Sequence, residues 1–263
     1  MASYPNIKSI GSFTDSEILG IGGTGMVIRE GNTAIKLPFR CKGSLDSEIE
    51  LNIDGIQREQ EIYRQIGECD SVVPVLGFTE TSTTLKLMEN GDLHSYLRHN
   101  LHTPLPKHLK LSWFQQMARG LAQIHDRRVL VLDIASRNLL LDDYLSIKFC
   151  DFTEATRLPL DTDMEKVNDY NSTVQTDIAQ LAAVMYEVVT GEQWDFNSFL
   201  NDQPNNGAME WPQQTKLRKT RGIWLGDIIR KAWTQGAFCN AYELLRELES
   251  VRLEDEPTIN LTM

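Results

Sequence analysis

The chain has 263 residues, of which 26 are Lys or Arg and 37 are Asp or Glu, so its formal charge at pH 7 is −11. Hydrophobic residues make up 41% of the chain, enough to bury a core, and charged residues make up an ordinary 24%. This composition excludes collagen-like, disordered and disulfide-scaffold proteins. The acidic balance argues against nucleic acid as a partner, since nucleic acid requires a basic surface. The length allows one large domain or two small ones.

The cysteines and the apolar segments indicate the cellular compartment of the protein. The four cysteines are Cys41, Cys69, Cys150 and Cys239. They are far apart and form no CxxC pair, which is typical of a reducing compartment and argues against a zinc site. The first thirteen residues contain no apolar run of signal-peptide length, and the most apolar helical stretch, residues 181–189, is interrupted by Glu187. We therefore expect a cytoplasmic or nuclear protein with no membrane partner.

The first third of the chain predicts a small antiparallel sheet with one helix against it. Gly31-Asn32 is a plausible turn within this sheet. Residues 44–66 predict the helix, because their apolar side chains recur at helical spacing. The predicted strands cover residues 17–21, 26–30, 33–37, 72–78 and 84–88.

The rest of the chain predicts mainly helices. In residues 107–125 and 174–190, apolar side chains repeat along one face, as in helices that pack on a core. Two later helices are predicted at residues 223–233 and 241–251. Strands give way to helices near Asn90-Gly91, so we predict an α+β fold with a β-rich small lobe and a larger, mainly α-helical lobe.

A glycine motif lies at the start of the predicted sheet. Residues 19–27 read LGIGGTGMV and contain the pattern GxGxxG. Dinucleotide-binding folds carry this pattern too, but they require a helix directly after it, whereas residues 26–36 predict strand, turn and strand. A glycine loop between two strands can press backbone amides onto phosphates, because no side chain holds it away. The alternative is an ordinary glycine turn.

A lysine and a glutamate strengthen the phosphate interpretation. Lys36, in Ala34-Ile35-Lys36, lies on the strand after the glycine loop, where it can bind phosphate as a compact cation. Such a lysine needs a carboxylate to hold it in place. Glu59 shares the apolar face of the predicted helix, whereas the helical neighbours of Glu61 are polar. We therefore predict that Glu59 is the partner of Lys36.

The C-terminal half supplies acidic groups on loops. Asp133 and Asn138 precede the strand-like residues 139–141, and Asp151 follows the strand-like residues 147–150. Two carboxylates and a carboxamide beside short apolar strands can hold Mg²⁺ and orient a hydroxyl. A single loop aspartate is more often a turn or capping residue, so it is the set that carries this interpretation.

These motifs, in this order over residues 15–250, resemble the eukaryotic protein kinase domain. The resemblance implies one domain over residues 1–263 with a bilobal protein-kinase-like fold, whose small lobe covers about 15–89 and whose large lobe covers about 90–250. It implies that Lys36, Glu59 and Asp133 serve catalysis, that Asn138 and Asp151 hold Mg²⁺, and that Asp177 begins the long helix of the large lobe. The residues implied to contact ATP are Leu19, Gly20, Gly22, Gly25, Val27, Ala34, Lys36, Met88 and Glu89, with Met88-Glu89 as gatekeeper and hinge.

The chain departs from the kinase pattern around the catalytic loop. Val131-Leu132 replaces the usual His-Arg, which removes the cation that meets an activation-loop phosphate. We therefore hypothesise that activity does not require that phosphorylation. Ala135 replaces the lysine usual in serine/threonine kinases, and Arg137 before Asn138 is closer to tyrosine kinases. Thr153 stands where glycine is usual, and its β-branch restricts the backbone there.

The segment after Asp151 departs further. It contains no Ala-Pro-Glu and is short, and the arginine that usually pairs with this glutamate corresponds to Cys239. Both halves of a buried pair are thus missing together, which avoids an uncompensated charge. Cys150 borders the implied nucleotide pocket, where it is either a site of alkylation or a small buried apolar residue.

The resemblance implies an ATP- and Mg²⁺-dependent protein kinase that phosphorylates a protein hydroxyl, on Ser/Thr or on Tyr. The chain also looks similar to small stand-alone fungal kinase-like proteins, and we expect a monomer. Two alternatives stay open: a pseudokinase that binds nucleotide or partners without efficient transfer, and a kinase of small molecules. The divergent segment after Asp151 favours the first alternative.

Overall fold

The computed structural model describes residues 10–169, 172–194, 196, 211–212 and 216–253. Its first part is a five-stranded antiparallel sheet in the order β1-β2-β3-β5-β4. The strands are β1 (Ile18–Ile21), β2 (Gly25–Glu30), β3 (Thr33–Pro38), β4 (Val75–Phe78) and β5 (Thr83–Lys86). The predicted small β-rich lobe is therefore confirmed, with β4 and β5 each shorter than the sequence pattern indicates.

A single long helix, α1 (Asp46–Ile66), packs on this sheet and contacts β3. It begins at Asp46 because the Leu45 N–H, one of the donors at the helix start, is bound by Glu48 Oε2 at 2.9 Å. Its buried apolar side chains are Ile49, Ile53, Ile56, Ile62, Tyr63 and Ile66. Glu59 lies on the same face and is also buried, so the helix delivers a carboxylate to the inner side of the small lobe.

The second part of the described chain is mainly helical, as predicted. Its helices are α2 (Leu93–His99), α3 (Lys107–Asp126), α4 (Val174–Thr190), α5 (Gly226–Ala232) and α6 (Ala241–Ser250). The sequence pattern did not indicate α2. This helix is capped by Asp92, directly before it, whose carboxylate accepts the Ser95 N–H at 2.8 Å. The predicted helix 223–233 begins later, at Gly226, where a β-carbon would lie 2.0 Å from the Thr220 carbonyl oxygen.

Two short antiparallel ladders hold the loops between these helices. Strand β6 (Val129–Leu130) pairs with β9 (Thr156–Arg157), and β7 (Leu139–Leu141) pairs with β8 (Ile147–Phe149). Helix α3 approaches β8 closely at Gly120, where a β-carbon would lie 2.9 Å from Cε2 of Phe149. The β7–β8 ladder therefore brings Asn138, directly before β7, close to Cys150 and Asp151, directly after β8.

Within the described ranges, no helix is both long enough and apolar enough to cross a bilayer.

Candidate active site

The glycine motif forms the tight connection between β1 and β2. The Gly22 N–H donates to the Gly25 carbonyl at 2.7 Å, which closes the turn. A β-carbon on Gly25 would lie 3.0 Å from the Leu37 oxygen and 3.4 Å from Cε of Lys36, so a side chain there would crowd the lysine. Gly20 and Gly22 are exposed, and the loop therefore offers backbone rather than side chains to a phosphate group.

Apolar side chains lie beside this loop. Ala34 of β3 pairs with Leu85 of β5, and both are buried. Strand β5 ends at Lys86, and Met88 follows as a buried residue in the connection to the helical part. The sequence analysis did not single out Leu85. Its position in a predicted strand of the small lobe was the available signal. The other proposed contacts, Leu19, Val27 and Glu89, are more exposed than Ala34 and Met88, and Glu89 pairs with Arg29 at 3.1 Å.

The structure brings Lys36 and Glu59 together. The Lys36 Nζ lies 2.8 Å from Glu59 Oε2, and the two side chains are only 8% and 1% exposed. The same Nζ lies 2.7 Å from Asp151 Oδ1. Glu61, in contrast, is 47% exposed and pairs with surface arginines. The apolar register of α1 therefore distinguishes the inward glutamate from the outward one.

The positive charge of Lys36 and the carboxylates of Glu59 and Asp151 shift one another's pKa values. Burial acts to lower the pKa of Lys36, but the negative charges of Glu59 and Asp151 outweigh it and raise that pKa above 10.5. Burial raises the pKa of Glu59, and the Lys36 charge offsets this only in part. Burial also acts to raise the pKa of Asp151, but the Lys36 charge and hydrogen bonds from Lys36 and Thr153 lower it below 3.8. Lys36 and Asp151 are therefore both ionised at neutral pH.

The segment that begins at Asp151 is held against α1. Asp151 has φ 57°, in the left-handed region, so the chain turns sharply after β8. The Phe152 N–H donates to Glu59 Oε1 at 3.0 Å, and its ring packs edge-on against Tyr63 with centroids 5.1 Å apart. Glu59 therefore binds Lys36 with one oxygen and the backbone of this segment with the other.

Thr153 also belongs to the cluster. Its hydroxyl donates to Asp151 Oδ1 at 2.6 Å and accepts from Lys36 Nζ at 2.8 Å. The sequence analysis considered only the backbone restriction at this position. A hydroxyl on the residue after Asp151-Phe152 was the signal that could have indicated a polar role.

Asp133 and Asn138 lie together on the loop before β7. The Asn138 Nδ2 donates to Asp133 Oδ2 at 2.8 Å and to the Asp133 carbonyl at 3.0 Å. Arg137 Nη2 donates to both carboxylate oxygens of Asp133, at 2.7 and 2.8 Å. Because the Asn138 amide nitrogen is used on Asp133, the amide oxygen is the group that Asn138 can offer to a cation.

Asp177 binds the backbone directly before this loop. It is fully buried at the start of α4 and accepts the N–H groups of Val131 and Leu132 at 2.8 and 2.9 Å. His125 Nε2 lies 2.9 Å from the same carboxylate. The backbone before Asp133 is therefore anchored although the usual His-Arg is absent.

Glu187 provides a second anchor that the sequence analysis read only as an interruption of an apolar helix. Its carboxylate is buried, accepts the Ser136 hydroxyl at 2.7 Å and lies 2.9 Å from Nδ1 of His94. A charged residue within an apolar helix was the available signal, because a buried charge requires specific partners. Glu187 thus ties the Asp133–Asn138 loop to both α2 and α4.

The structure favours the apolar interpretation of Cys150. Burial and the negative charge of Asp151 raise the pKa of this thiol well above its usual value. Its Sγ donates to the Asn138 carbonyl at 3.3 Å. A protonated and hydrogen-bonded thiol is a poor nucleophile, so Cys150 serves packing rather than reactivity.

The region around Cys239 differs from the cleft. A cavity of about 220 Å³ lies between residues 162–165 and the start of α6. Its lining includes Asp126, Arg128, Cys239 and Tyr242, and Cys239 is exposed. That Cys239 stands in place of the arginine of the family ion pair stays a prediction.

The donor set fits Mg²⁺ that arrives with a nucleotide. Within the described ranges, no three His, Cys, Asp or Glu residues form a cluster that could hold a metal ion by themselves. Asn138 and Asp151 offer one amide oxygen and one carboxylate. Mg²⁺ is commonly bound by one or two carboxylates together with substrate phosphates and water, and this pair of oxygen ligands suits that arrangement.

Comparisons with known proteins agree with this geometry. The chain is 27% identical to a probable serine/threonine-protein kinase of Dictyostelium discoideum, over 71% of this chain and 40% of that protein. It is 26% identical to a probable receptor-like protein kinase of Arabidopsis thaliana, over 89% of this chain and 31% of that protein. It is 25% identical to a putative serine/threonine-protein kinase/receptor of Acanthamoeba polyphaga mimivirus, over 79% of this chain and 12% of that protein.

The chain thus spans well under half the length of these relatives. The likeness to small fungal proteins stays a prediction. The profile of the protein kinase domain matches residues 13–193, which is more than half of the chain. The sheet of the small lobe, the helical lobe and the Lys36–Glu59 pair are the features that this family predicts. The chain therefore belongs to the protein kinase domain family.

Proposed function

We propose that this protein transfers the γ-phosphate of ATP to a serine or threonine hydroxyl of a protein substrate. The observation that carries this proposal is the position of Lys36 Nζ, 2.8 Å from Glu59 and 2.7 Å from Asp151. The three groups that bind and orient the phosphates in kinases are thereby assembled in one place. The choice of Ser/Thr follows the printed names of the Dictyostelium and mimivirus relatives.

Each part of the cleft has a role in this proposal. ATP would place its base between the apolar residues Ala34, Leu85 and Met88, and its phosphates under the exposed glycine backbone. Lys36 would bind the α- and β-phosphates, and Glu59 would hold Lys36 in position. Bound Mg²⁺, held by Asn138 and Asp151, would supply positive charge against the phosphate oxygens.

Asp133 would orient the substrate hydroxyl and accept its proton. The hydroxyl oxygen would form the new bond to the γ-phosphorus while the bond to ADP breaks. Arg137 is bound to Asp133 but its side chain is 56% exposed, so an incoming hydroxyl can displace it into solvent. Asn138 would keep the carboxylate oriented during this exchange, since Asn138 is buried and donates to Asp133 Oδ2 at 2.8 Å.

Two measurements test the proposal. Mg·ATP should raise the thermal unfolding temperature of the wild-type protein. The wild type should also transfer phosphate to a generic protein substrate, and Asp133→Asn should lose at least about 100-fold in rate, because a general base and an orienting group are lost together. Equal transfer by the wild type and Asp133→Asn would refute the proposal.

A second candidate is a pseudokinase that binds nucleotide without transfer. It is favoured by the state of Asp133, both of whose carboxylate oxygens are engaged by Arg137. In that case Mg·ATP stabilises the protein, but no phosphate is transferred even when Arg137→Ala releases the carboxylate. Measurable transfer by the wild type or by Arg137→Ala refutes this candidate.

A further inference from the structure

The residue after Asp151-Phe152 carries an unexpected polar group into the cleft. The hydroxyl of Thr153 both donates to Asp151 Oδ1, at 2.6 Å, and accepts from Lys36 Nζ, at 2.8 Å. The kinase pattern has a glycine here, and a glycine makes neither bond. The hydroxyl therefore adds a connection between the lysine and the aspartate that the general pattern does not contain.

The hydrogen bonds to the Asp151 carboxylate are one-sided. In the part of the chain that the structure describes, Lys36 Nζ, the Thr153 hydroxyl and the more distant Thr153 N–H all point to Oδ1. The side chain of Asp151 is 42% exposed. Two neighbours thus hold one oxygen of the carboxylate and leave Oδ2 for a ligand from the cleft.

The ammonium group of Lys36 has three N–H donors. It donates hydrogen bonds to Asp151 and Thr153 and forms an ion pair with Glu59 at 2.8 Å. A nucleotide must draw at least one of these donors towards its phosphates. When Lys36 turns from Asp151 to a phosphate, Asp151 loses a charge-assisted hydrogen bond. The Thr153 donor then remains, and it needs no rearrangement because it lies two residues away on the same turn.

We propose that Thr153 is a positioning residue whose hydroxyl fixes the Asp151 carboxylate for Mg²⁺ while Lys36 moves to the nucleotide. The effect acts through Asp151, since Thr153 is not assigned a contact with the metal or with ATP. This inference rests on the proposed nucleotide site, but it does not require that the protein transfers phosphate. The relevant quantity is the coupling between the metal and the nucleotide.

The test compares three variants at this position. Thr153→Val keeps the β-branch and removes the hydroxyl, Thr153→Gly restores the residue of the family pattern, and Thr153→Ser keeps the hydroxyl without the β-branch. The affinity for ADP is measured by calorimetry with and without Mg²⁺, and the ratio of the two affinities is the coupling. Thermal unfolding of each variant confirms that the fold is retained.

We expect the Mg²⁺ coupling to fall about tenfold in Thr153→Val and Thr153→Gly, the size of effect of one charge-assisted hydrogen bond. In Thr153→Ser the coupling should stay within about twofold of the wild type. In Thr153→Val and Thr153→Gly the metal-free affinity for ADP should change less than the coupling. A merely structural role would lower both affinities together, and this outcome would overturn the inference.

Other outcomes are also decisive. Unchanged coupling in Thr153→Val overturns the role of the hydroxyl, and coupling kept in Thr153→Val but lost in Thr153→Gly and Thr153→Ser assigns the effect to the backbone restriction instead. Coupling kept in Thr153→Gly overturns the need for the hydroxyl as well. A wild-type protein that binds ADP and Mg²⁺ but transfers no phosphate leaves the inference standing and refutes the proposed activity. A wild-type protein that binds no Mg·ADP overturns the nucleotide site and this inference with it.

Discussion

The nucleotide cleft and the region around the segment after Asp151 differ in how their charges are arranged. In the cleft, Glu59 and Asp151 each have a carboxylate oxygen within 2.8 Å of Lys36 Nζ, and the side chains of Lys36 and Glu59 are almost fully buried. Around residues 162–165, a cavity borders the exposed Cys239, which the sequence comparison predicts to replace the arginine of a buried ion pair. In the cleft all three charged partners are present, whereas the sequence predicts that both partners of the pair are missing in the other region.

This difference has a physical reason. Removing one member of a buried ion pair leaves an uncompensated charge, which costs more than the pair contributes. A charged cluster therefore tends to be either complete or wholly absent. The cleft contains its complete set of charges, and the sequence interpretation predicts that neither member of the family ion pair is present at Cys239. We therefore expect substitutions in the cleft to change phosphate transfer and stability more than substitutions near Cys239.

The largest effect is expected from the lysine itself. Lys36→Met should lower phosphate transfer by about 10²–10³-fold, because it removes a preorganised positive charge at the phosphates. Asp151→Asn should cause a comparable loss through the metal. Both are measured as initial rates, and thermal unfolding should show that each variant retains its fold. Lys219→Met, at an exposed lysine of the helical part, is the matched control and should keep the wild-type rate.

A retained rate in Lys36→Met would mean that phosphate binding lies elsewhere. It would also remove the contrast between the two regions, because the buried cluster would then be structural only.

The next effect concerns stability and compares two glutamates of one helix. Glu59→Ala should lower the free energy of unfolding by about 3–5 kcal/mol, since it leaves Lys36 in a buried site without its principal partner. Glu61→Ala should cost less than about 1 kcal/mol, because Glu61 is 47% exposed and its pairs with arginines are solvated. Denaturant unfolding of the two variants measures both values. Equal costs would contradict the special position of Glu59.

The parts of this site that the sequence predicted are those that a periodic pattern or a motif fixes. The apolar spacing of α1 placed Glu59 inward, and the order of motifs grouped Lys36 with Asp151. The roles of the Thr153 hydroxyl and the Glu187 carboxylate were not predicted, because Lys36, Ser136 and His94, which they contact, come from distant parts of the chain. A charged residue within an apolar helix indicates that Glu187 needs a partner, but the local pattern does not identify Ser136 as that partner.

The alkylation rates of Cys150, in the cleft, and Cys239, in the other region, provide a further comparison of the two regions. Cys239 is exposed and should be alkylated by iodoacetamide in the native protein. Cys150 should react at least about tenfold more slowly, because its pKa is raised and only the thiolate is nucleophilic. An increase in pH from 7 to 9 should therefore leave Cys150 largely protonated and unlabelled. Mass spectrometry of peptides after timed labelling measures both rates, and faster labelling of Cys150 would contradict the assignment.

The smallest effect is expected from phosphorylation of the segment before α4. Leu132 stands where kinases have the arginine that meets an activation-loop phosphate, and its N–H is instead bound by Asp177 at 2.9 Å. The backbone before Asp133 is thus anchored without a phosphate, so phosphatase treatment should change the transfer rate by less than about twofold. Leu132→Arg supplies the missing cation and is the informative variant, since a phosphate on the segment could then act. A large loss of wild-type activity after phosphatase treatment would mean that another cation meets the phosphate, and that the segment after Asp151 controls the cleft despite its lost ion pair.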